Sequence, residues 1–130
     1  MGGRLILAFQ QVFEEFSCVL MTDSGVIDSK KWPKIPRKIL LNQITELFEK
    51  NNFKKTDLTD IFVLNGPGDF TPLRNSMIVA NTLKKELGLN LYTICKDQID
   101  SEDLYEIFKK SPIQKADFIE PYFGKEPSIS

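Results

Sequence analysis

The residues best suited to chemistry form a glycine-rich turn from Asn65 to Arg74, with the sequence Asn-Gly-Pro-Gly-Asp-Phe-Thr-Pro-Leu-Arg. Gly66 and Gly68 allow the backbone to turn sharply and another group to approach it closely. The amides at the start of a following helix can hold an anion. However, the turn lacks the Gly-Lys-Ser/Thr ending of a phosphate loop, and Asp69 places negative charge where a phosphate would sit. On composition alone, a structural turn is favoured.

The sequence lacks side chains that common catalytic and metal sites require. There is no histidine, which is the commonest general base and a common metal ligand. A hydrolytic triad of the usual form is excluded, and a zinc site would need a carboxylate beside only two cysteines, Cys18 and Cys95. Both cysteines lie in apolar runs, so buried free thiols are the favoured interpretation. No metal and no cofactor are expected.

Length and charge indicate a small soluble domain. The chain has 130 residues and a formal net charge of −1, with its lysines scattered singly or in pairs. A protein that grips tRNA by itself usually carries a basic stripe, because neutralising phosphates supplies much of the affinity. No run approaches the roughly 20 apolar residues that span a bilayer. We expect a cytoplasmic protein without membrane contact that meets tRNA only through another subunit.

The elements that position the turn follow from hydrophobic periodicity. Leu5–Phe9, Phe16–Thr22 and Val26–Trp32 read as three strands of an antiparallel meander, with Gln10–Glu15 as a polar connection. Arg37–Asn51 then follows a helical period. Its apolar stripe consists of Leu40, Ile44, Leu47 and Phe48, with Leu41 at the edge.

The second half alternates strands with helices. The predicted elements are strand Asp60–Leu64, helix Pro72–Leu87, strand Leu91–Cys95 and helix Ser101–Lys110. Thr71 or Asp69 is the expected cap of the second helix and Gly88 its terminator. The order β-β-β-α-β-α-β-α predicts an α/β fold with a five-stranded mixed sheet, which is the ribonuclease H-like arrangement. The remaining Ile113–Ser130 is predicted to be an extended tail.

The turn sequence resembles the signature of the TsaB (YeaZ) family, Gly-Pro-Gly-Ser-Phe-Thr-Gly-Leu-Arg. Seven of its nine positions are present: Gly66, Pro67, Gly68, Phe70, Thr71, Leu73 and Arg74. The strand before it, the long helix after it and the closing segment Ile119–Pro127 are also similar to members of this family. The resemblance implies a place in the actin and sugar-kinase superfamily.

The sequence also departs from the family pattern. Asp69 replaces the serine, and Pro72 replaces the second glycine as a first helical residue. After the first strand, Phe9-Gln10-Gln11 stands where TsaB proteins commonly have Asp-Thr-Ser, so no carboxylate is available there to organise Mg²⁺. The resemblance implies a second domain, which we expect to be reduced in this chain. We expect a TsaB-like amino-terminal domain over residues 1–96, followed over 97–130 by one helix and a tail.

The resemblance implies a non-catalytic scaffold subunit in tRNA threonylcarbamoyladenosine modification. TsaB proteins pair with TsaD, the catalytic transferase, through helices of the amino-terminal domain, and the ATPase TsaE joins them. On this chain the partner-binding residues are expected on the two long helices, because their apolar side chains exceed one stripe. They are Leu41, Phe48, Leu73, Arg74, Met77 and Ile78, beside the loop motif Gly66, Pro67, Gly68, Asp69, Phe70 and Thr71.

Other interpretations remain open at this stage. Ile78 and Val79 could pack internally, Arg74 could bridge to Asp69, and Phe70 could anchor the core beneath the turn. The whole chain could be a self-associating homodimer that lost its partner. It could also be a small nucleotide-binding ATPase, although the missing acidic loop, histidine and second domain argue against an enzyme.

Overall fold

The computed structural model describes residues 3–12, 15–33, 37–64, 70–94, 103–110 and 113–118, with backbone alone at 11–12, 37–39, 70–73 and 75–76. The strands are β1 (Ile6–Val12), β2 (Glu15–Thr22), β3 (Gly25–Pro33), β4 (Asp60–Leu64), β5 (Asn90–Ile94) and β6 (Gln114–Ala116). The α-helices are α1 (Arg37–Lys50), α2 (Phe70–Leu87) and α3 (Leu104–Lys110), with a short 3₁₀ turn at Lys55–Asp57.

One mixed sheet of six strands, in the order β3-β2-β1-β4-β5-β6, organises the described residues. β1, β2 and β3 form the predicted antiparallel meander, and β1, β4 and β5 run parallel. The expectation of five strands is wrong, because Gln114–Ala116 pairs antiparallel with β5. The segment predicted as a tail therefore begins with a strand, and the element order ends in β after the third helix.

The central strands are buried on both faces. Leu5 to Gln10 are all buried, as is every residue of Asp60–Leu64. Such strands need apolar side chains at consecutive positions, which explains their uninterrupted runs. β1 is longer than predicted and reaches Val12, where it still pairs with Glu15 of β2. The polar connection expected over Gln10–Glu15 is therefore wrong for most of its length.

α1 and α2 pack on one face of the sheet. The predicted stripe of α1 lies in the same cluster as Met77, Val79, Ala80 and Leu83 of α2. α1 ends at Lys50, and Asn52 shortly after it has a left-handed φ of 62°, while the N–H of Phe53 bonds to the carbonyl of Phe48 at 2.9 Å. Gly88 ends α2 in the same conformation, as predicted, with a φ of 67°.

The start of α2 differs from the prediction. The helix begins at Phe70, so Thr71 is its second residue and cannot be its cap, while Asp69 lies outside the described residues. Pro72 is the third helical residue instead of the first. This position is equally permissive, because the first four amides of a helix have no intrahelical acceptor.

α3 covers part of the opposite face. Leu104, Ile107 and Phe108 pack against a second cluster formed by Ile6, Ala8, Met21, Phe62, Leu64 and Ile94. The carboxylate of Asp103 caps the helix by accepting from the N–H groups of Tyr105 at 2.9 Å and Glu106 at 3.4 Å. Within the part of the chain that is described, α3 and β6 therefore extend the same sheet and core. The division at residue 96 stays a prediction.

Arg4 and Asp60 fasten the amino ends of the parallel strands. Asp60 accepts hydrogen bonds from Arg4 Nε at 3.1 Å, Thr59 Oγ1 at 2.7 Å and Asn90 Nδ2 at 3.1 Å. Burial alone would raise the pKa of Asp60, but these hydrogen bonds outweigh it and hold the pKa below its ordinary value. The Arg4 guanidinium also lies 5.1 Å from the centre of the Phe108 ring, so this cluster joins α3 to the sheet.

Candidate partner-binding surface

The inner stripes of α1 and α2 are core, and this corrects two of the predicted partner-binding residues. Phe48 and Met77 each have only 2% exposure and pack between the helices and the sheet. A partner could not reach either side chain without opening the core of this chain. Both belong to the stripe that a helix must bury against its own sheet. The alternative that Val79 packs internally is confirmed, because its side chain is only 1% exposed.

The outward stripes hold the remaining candidates. On α2, exposed Arg74 and half-buried Ile78 are one turn apart, and Asn81, Thr82 and Lys85 continue the same side of the helix. On α1, half-buried Leu41 packs at the margin of the core, while Asn42, Glu46 and Glu49 are exposed. The side chain of Leu73 lies outside the described residues. Leu41, Arg74 and Ile78 stay predictions of partner contact.

The turn itself lies mostly outside the described residues, which exclude Gly66, Pro67, Gly68 and Asp69. Phe70 and Thr71 are placed at the start of α2, but their side chains are not described. The structure does place the two ends of the motif. β4 leads into it, and α2 begins at Phe70 with helical backbone.

A polar brace fixes α1 to β3. Trp32 Nε1 donates to Gln43 Oε1 at 3.0 Å, and Lys30 Nζ lies 3.4 Å from the same oxygen and 5.7 Å from the centre of the Trp32 ring. Asn51 Nδ2 donates to Asp28 Oδ2 at 3.0 Å and to the carbonyl of Leu47 at 2.8 Å. These contacts hold the middle and the carboxy end of α1 against the edge strand β3.

Asp28 is the acidic member of this brace. The Asn51 hydrogen bond, the backbone N–H of Ser29 and the Lys50 ammonium 3.3 Å away lower the pKa of Asp28. Sequence reasoning missed the brace, because Gln43, Asn51 and Asp28 look like ordinary surface residues. The available signal was Trp32, whose indole N–H requires an acceptor when the ring is buried.

The residues predicted to replace the family's phosphate loop are part of β1. Phe9 is fully buried in the core beneath α1 and α2, and Gln10 is buried on the other face of the sheet. Cys18 is a buried free thiol, as expected, and burial raises the pKa of its Sγ; Cys95 lies outside the described residues. Among the residues that the structure describes, no three histidine, cysteine or acidic side chains come together as a metal site.

The same described segments contain no helix long and apolar enough to cross a membrane.

The arrangement of α1 and α2 is that of a rigid, mostly polar helix pair with two half-buried aliphatic side chains. Such a surface can bind another protein.

Comparisons with known proteins identify the fold. Residues 36–99, just under half of the chain, match the family described as TsaD, tRNA N6-adenosine threonylcarbamoyltransferase. This range contains α1, β4, the glycine-rich turn, α2 and β5. No curated protein matches the sequence.

Solved structures match more of the chain. YeaZ from Pseudomonas aeruginosa aligns with a TM-score of 0.63 and 21% identity over 71% of this chain and 43% of that one. A second structure, described as an uncharacterized protein with similarity to peptidase YEAZ from Pseudomonas aeruginosa, aligns with a TM-score of 0.60, 21% identity and the same coverage. The chain therefore spans less than half the length of these structures. In its fold, it is a TsaB/YeaZ-like protein.

Proposed function

We propose that this chain is a non-catalytic subunit of the tRNA threonylcarbamoyladenosine system and that it pairs with a TsaD-like transferase through the outward side of α1 and α2. The YeaZ-like fold and the TsaD-family match over residues 36–99 support a role in this system. The observation that carries the proposed surface is the outward stripe of α2. There Ile78 is half-buried beside exposed Arg74, on a helix whose other stripe fills the core.

The surface is suited to pairing because it is already rigid. The Trp32–Gln43 and Asp28–Asn51 hydrogen bonds hold α1 against β3, so little conformational entropy is lost when a partner docks. An aliphatic side chain beside an arginine is a common composition for the centre of an interface. Exposed Glu46 and Glu49 on α1 would then form part of the polar rim.

The net charge and composition of the chain support assigning tRNA binding and catalysis to its partners. With a net charge of −1, this chain would leave tRNA binding and the transfer reaction to the partner, and a TsaE-like ATPase would join the pair. The antiparallel meander followed by parallel strands favours a ribonuclease H-like assignment of the fold. Under this proposal the protein works in the cytoplasm without its own catalysis.

The test is complex formation with the TsaD-like protein of the same cell, measured by light scattering and isothermal titration calorimetry. Ile78→Glu would place a charge in the interface, where it loses solvent, so we expect at least about thirtyfold weaker binding. The matched control is Ile27→Glu on β3, which is 38% exposed and remote from α2. It carries the same change of side chain and should bind normally.

Two further outcomes would contradict the proposal. One is normal binding by the Ile78 variant, which would show that another face is used. The other is a stable homodimer of the isolated chain that does not exchange with the TsaD-like protein, which is the self-association alternative. Met77→Glu cannot serve as an interface variant, because Met77 is buried and its replacement is expected to unfold the chain.

A further inference from the structure

The last described residues, Asp117 and Phe118, lie beside the carboxy end of α2. β6 runs antiparallel to β5 and ends with Ala116 opposite Leu91, close to the point where α2 leads into β5. The backbone then bends at Asp117 and Phe118. Lys84 Nζ, in the last turn of α2, lies 3.9 Å from Asp117 Oδ1. The chain therefore leaves the sheet next to this helix.

A groove lies between these last described residues and α2. Its volume is about 380 Å³, and it is lined by Asn81, Thr82, Lys84, Lys85, Asp117 and Phe118. Among the described residues the Phe118 ring is 65% exposed, so one wall of the groove is apolar surface that a further side chain can cover. Half-buried Ile78 lies one turn from Asn81 and Thr82 on the same side of α2. The groove therefore continues into the outward stripe of the helix.

The outward stripe of α2 has a cation towards each end and an aliphatic side chain between them. Arg74 and Lys85 are exposed, and Ile78 is half-buried. At a rise of 1.5 Å per residue, the two cations are about 16 Å apart along the helix. A segment that complements this stripe has two acidic groups at a similar separation and apolar side chains between them.

Residues 119–126, which follow the groove in sequence, have this arrangement. They read Ile-Glu-Pro-Tyr-Phe-Gly-Lys-Glu. Glu120 and Glu126 are six positions apart, a separation of up to about 20 Å in an extended chain. Tyr122 and Phe123 come between them and supply the apolar groups. Because the chain enters at the carboxy end of α2, the segment is long enough to pass along the whole stripe in matching order.

We propose that residues 119–126 bind the outward stripe of α2 in the free chain, with Tyr122 and Phe123 over Ile78. The same stripe is the proposed partner surface, so the segment competes with the TsaD-like protein. Binding of the partner is then weakened by the fraction of molecules in which the segment covers the stripe. The competition rests on the proposed function, whereas the contact within the free chain does not.

The first test locates the segment in the isolated full chain. A nitroxide label is attached to Gly124→Cys in a Cys95→Ser background, since Cys18 is buried. The label should broaden the NMR signals of the Ile78 and Asn81 amides much more than those of β3. Equal broadening at α2 and β3, or none at α2, would overturn the proposal.

Variants of the segment show which groups hold it. Tyr122→Ala combined with Phe123→Ala should remove the broadening at α2, because the apolar contact is lost. The matched control is Pro127→Ala, just outside the segment, which should leave the broadening unchanged. A second variant combines Glu120→Lys with Glu126→Lys and keeps both rings. It should weaken the contact by repulsion from the cations of α2, most strongly at low salt. Broadening that persists in both double variants would contradict the proposed contact.

The second test measures the competition by isothermal titration calorimetry with the TsaD-like protein. The double alanine variant should bind at least about threefold more tightly than the wild type, and Pro127→Ala should bind like the wild type. Unchanged affinity in a variant that has lost the label contact would show that the segment does not compete. If neither the wild type nor the variant binds, the proposed function fails, while the label experiment still decides where the segment lies.

Discussion

At the scale of single residues, Asp60 shows how hydrogen bonds compensate a buried charge. It is 1% exposed, and its hydrogen bonds come from one charged and two neutral side chains. The side chain of Arg4 is 37% exposed, and its Nη1 also lies 3.5 Å from Oδ1 of a second carboxylate, Asp23. The buried anion is therefore fully partnered, while its cation remains accessible to water.

The pKa of Asp60 predicts a pH dependence. Because the folded pKa lies below the ordinary value of about 3.9, the contribution of the carboxylate is present above that value. It is lost as the pH falls through the folded pKa. Asp60→Asn should lower the free energy of unfolding by about 1–3 kcal/mol at pH 7, because the three donors lose a charged acceptor.

The measurement for this prediction is urea unfolding followed by Trp32 fluorescence at several pH values. The variant should also show a weaker pH dependence than the wild type between roughly pH 5 and pH 2. Glu46→Gln is a suitable control, because it removes a carboxylate from an exposed position of α1. If both variants behave alike, Asp60 does not have the role given to it here.

At the scale of the elements, the ends of the helices are fixed by backbone conformation more than by contacts. Gly88 has a φ of 67°, and its N–H bonds to the carbonyl of Lys84 at 2.9 Å, while Leu89 N–H bonds to the same oxygen at 3.2 Å. A Cβ added at Gly88 would meet no atom within 4 Å. Any penalty for a side chain there comes from the left-handed backbone alone.

Gly88→Ala is therefore expected to destabilise the protein by about 1–2 kcal/mol. Gly88→Asn should cost less, because asparagine tolerates this conformation, as Asn52 does at the end of α1. Thermal unfolding by circular dichroism measures both. An alanine variant as stable as the wild type would mean that α2 ends differently in solution.

Sequence periodicity predicted the elements well where an apolar run is bounded by turn residues. β4 was predicted to the residue, because Asp60–Leu64 is buried on both faces and a polar residue stands on each side. β6 could not be predicted, since Gln-Lys-Ala has no apolar alternation and its pairing is dictated by the open edge of β5. β1 extends beyond its apolar run because β2 continues to pair with it.

The candidate site was predicted less well, for a related reason. Periodicity shows that a helix has more than one apolar stripe, but it does not show which stripe faces the sheet. Phe48 and Met77 were placed at the partner surface, whereas packing makes them core. The burial of Gln10 follows from its place in β1, which continues to Val12 beyond the apolar run.

At the scale of the whole molecule, α3 makes the second face of the sheet part of the same core. The Phe108 ring lies 5.4 Å from the Phe62 ring and 5.7 Å from the Tyr92 ring, between centres. Phe108 is buried, although it lies in the part of the sequence predicted as a separate reduced domain. The cooperativity of unfolding decides whether that division has physical meaning.

Phe108→Ala should lower the free energy of unfolding by about 3–5 kcal/mol. Because Trp32 lies on the far side of the sheet, its fluorescence reports on the other core. If α3 belongs to one cooperative unit, denaturation followed by Trp32 fluorescence and by far-ultraviolet circular dichroism will coincide and shift together. Two separate transitions, with Trp32 unaffected by the substitution, would support a distinct carboxy-terminal domain.

The pairing of β1 has a consequence for how this chain is made. On one side β1 joins β2, its neighbour in sequence, but on the other it joins β4, with Ile6 opposite Asp60. During synthesis at ~5–20 residues per second, the completed amino-terminal meander would wait roughly 2–6 s for β4, which ends at Leu64, 31 residues after Pro33. Throughout that interval β1 is an unpaired, apolar edge strand of the nascent protein. Such an edge is prone to aggregate or to recruit a chaperone.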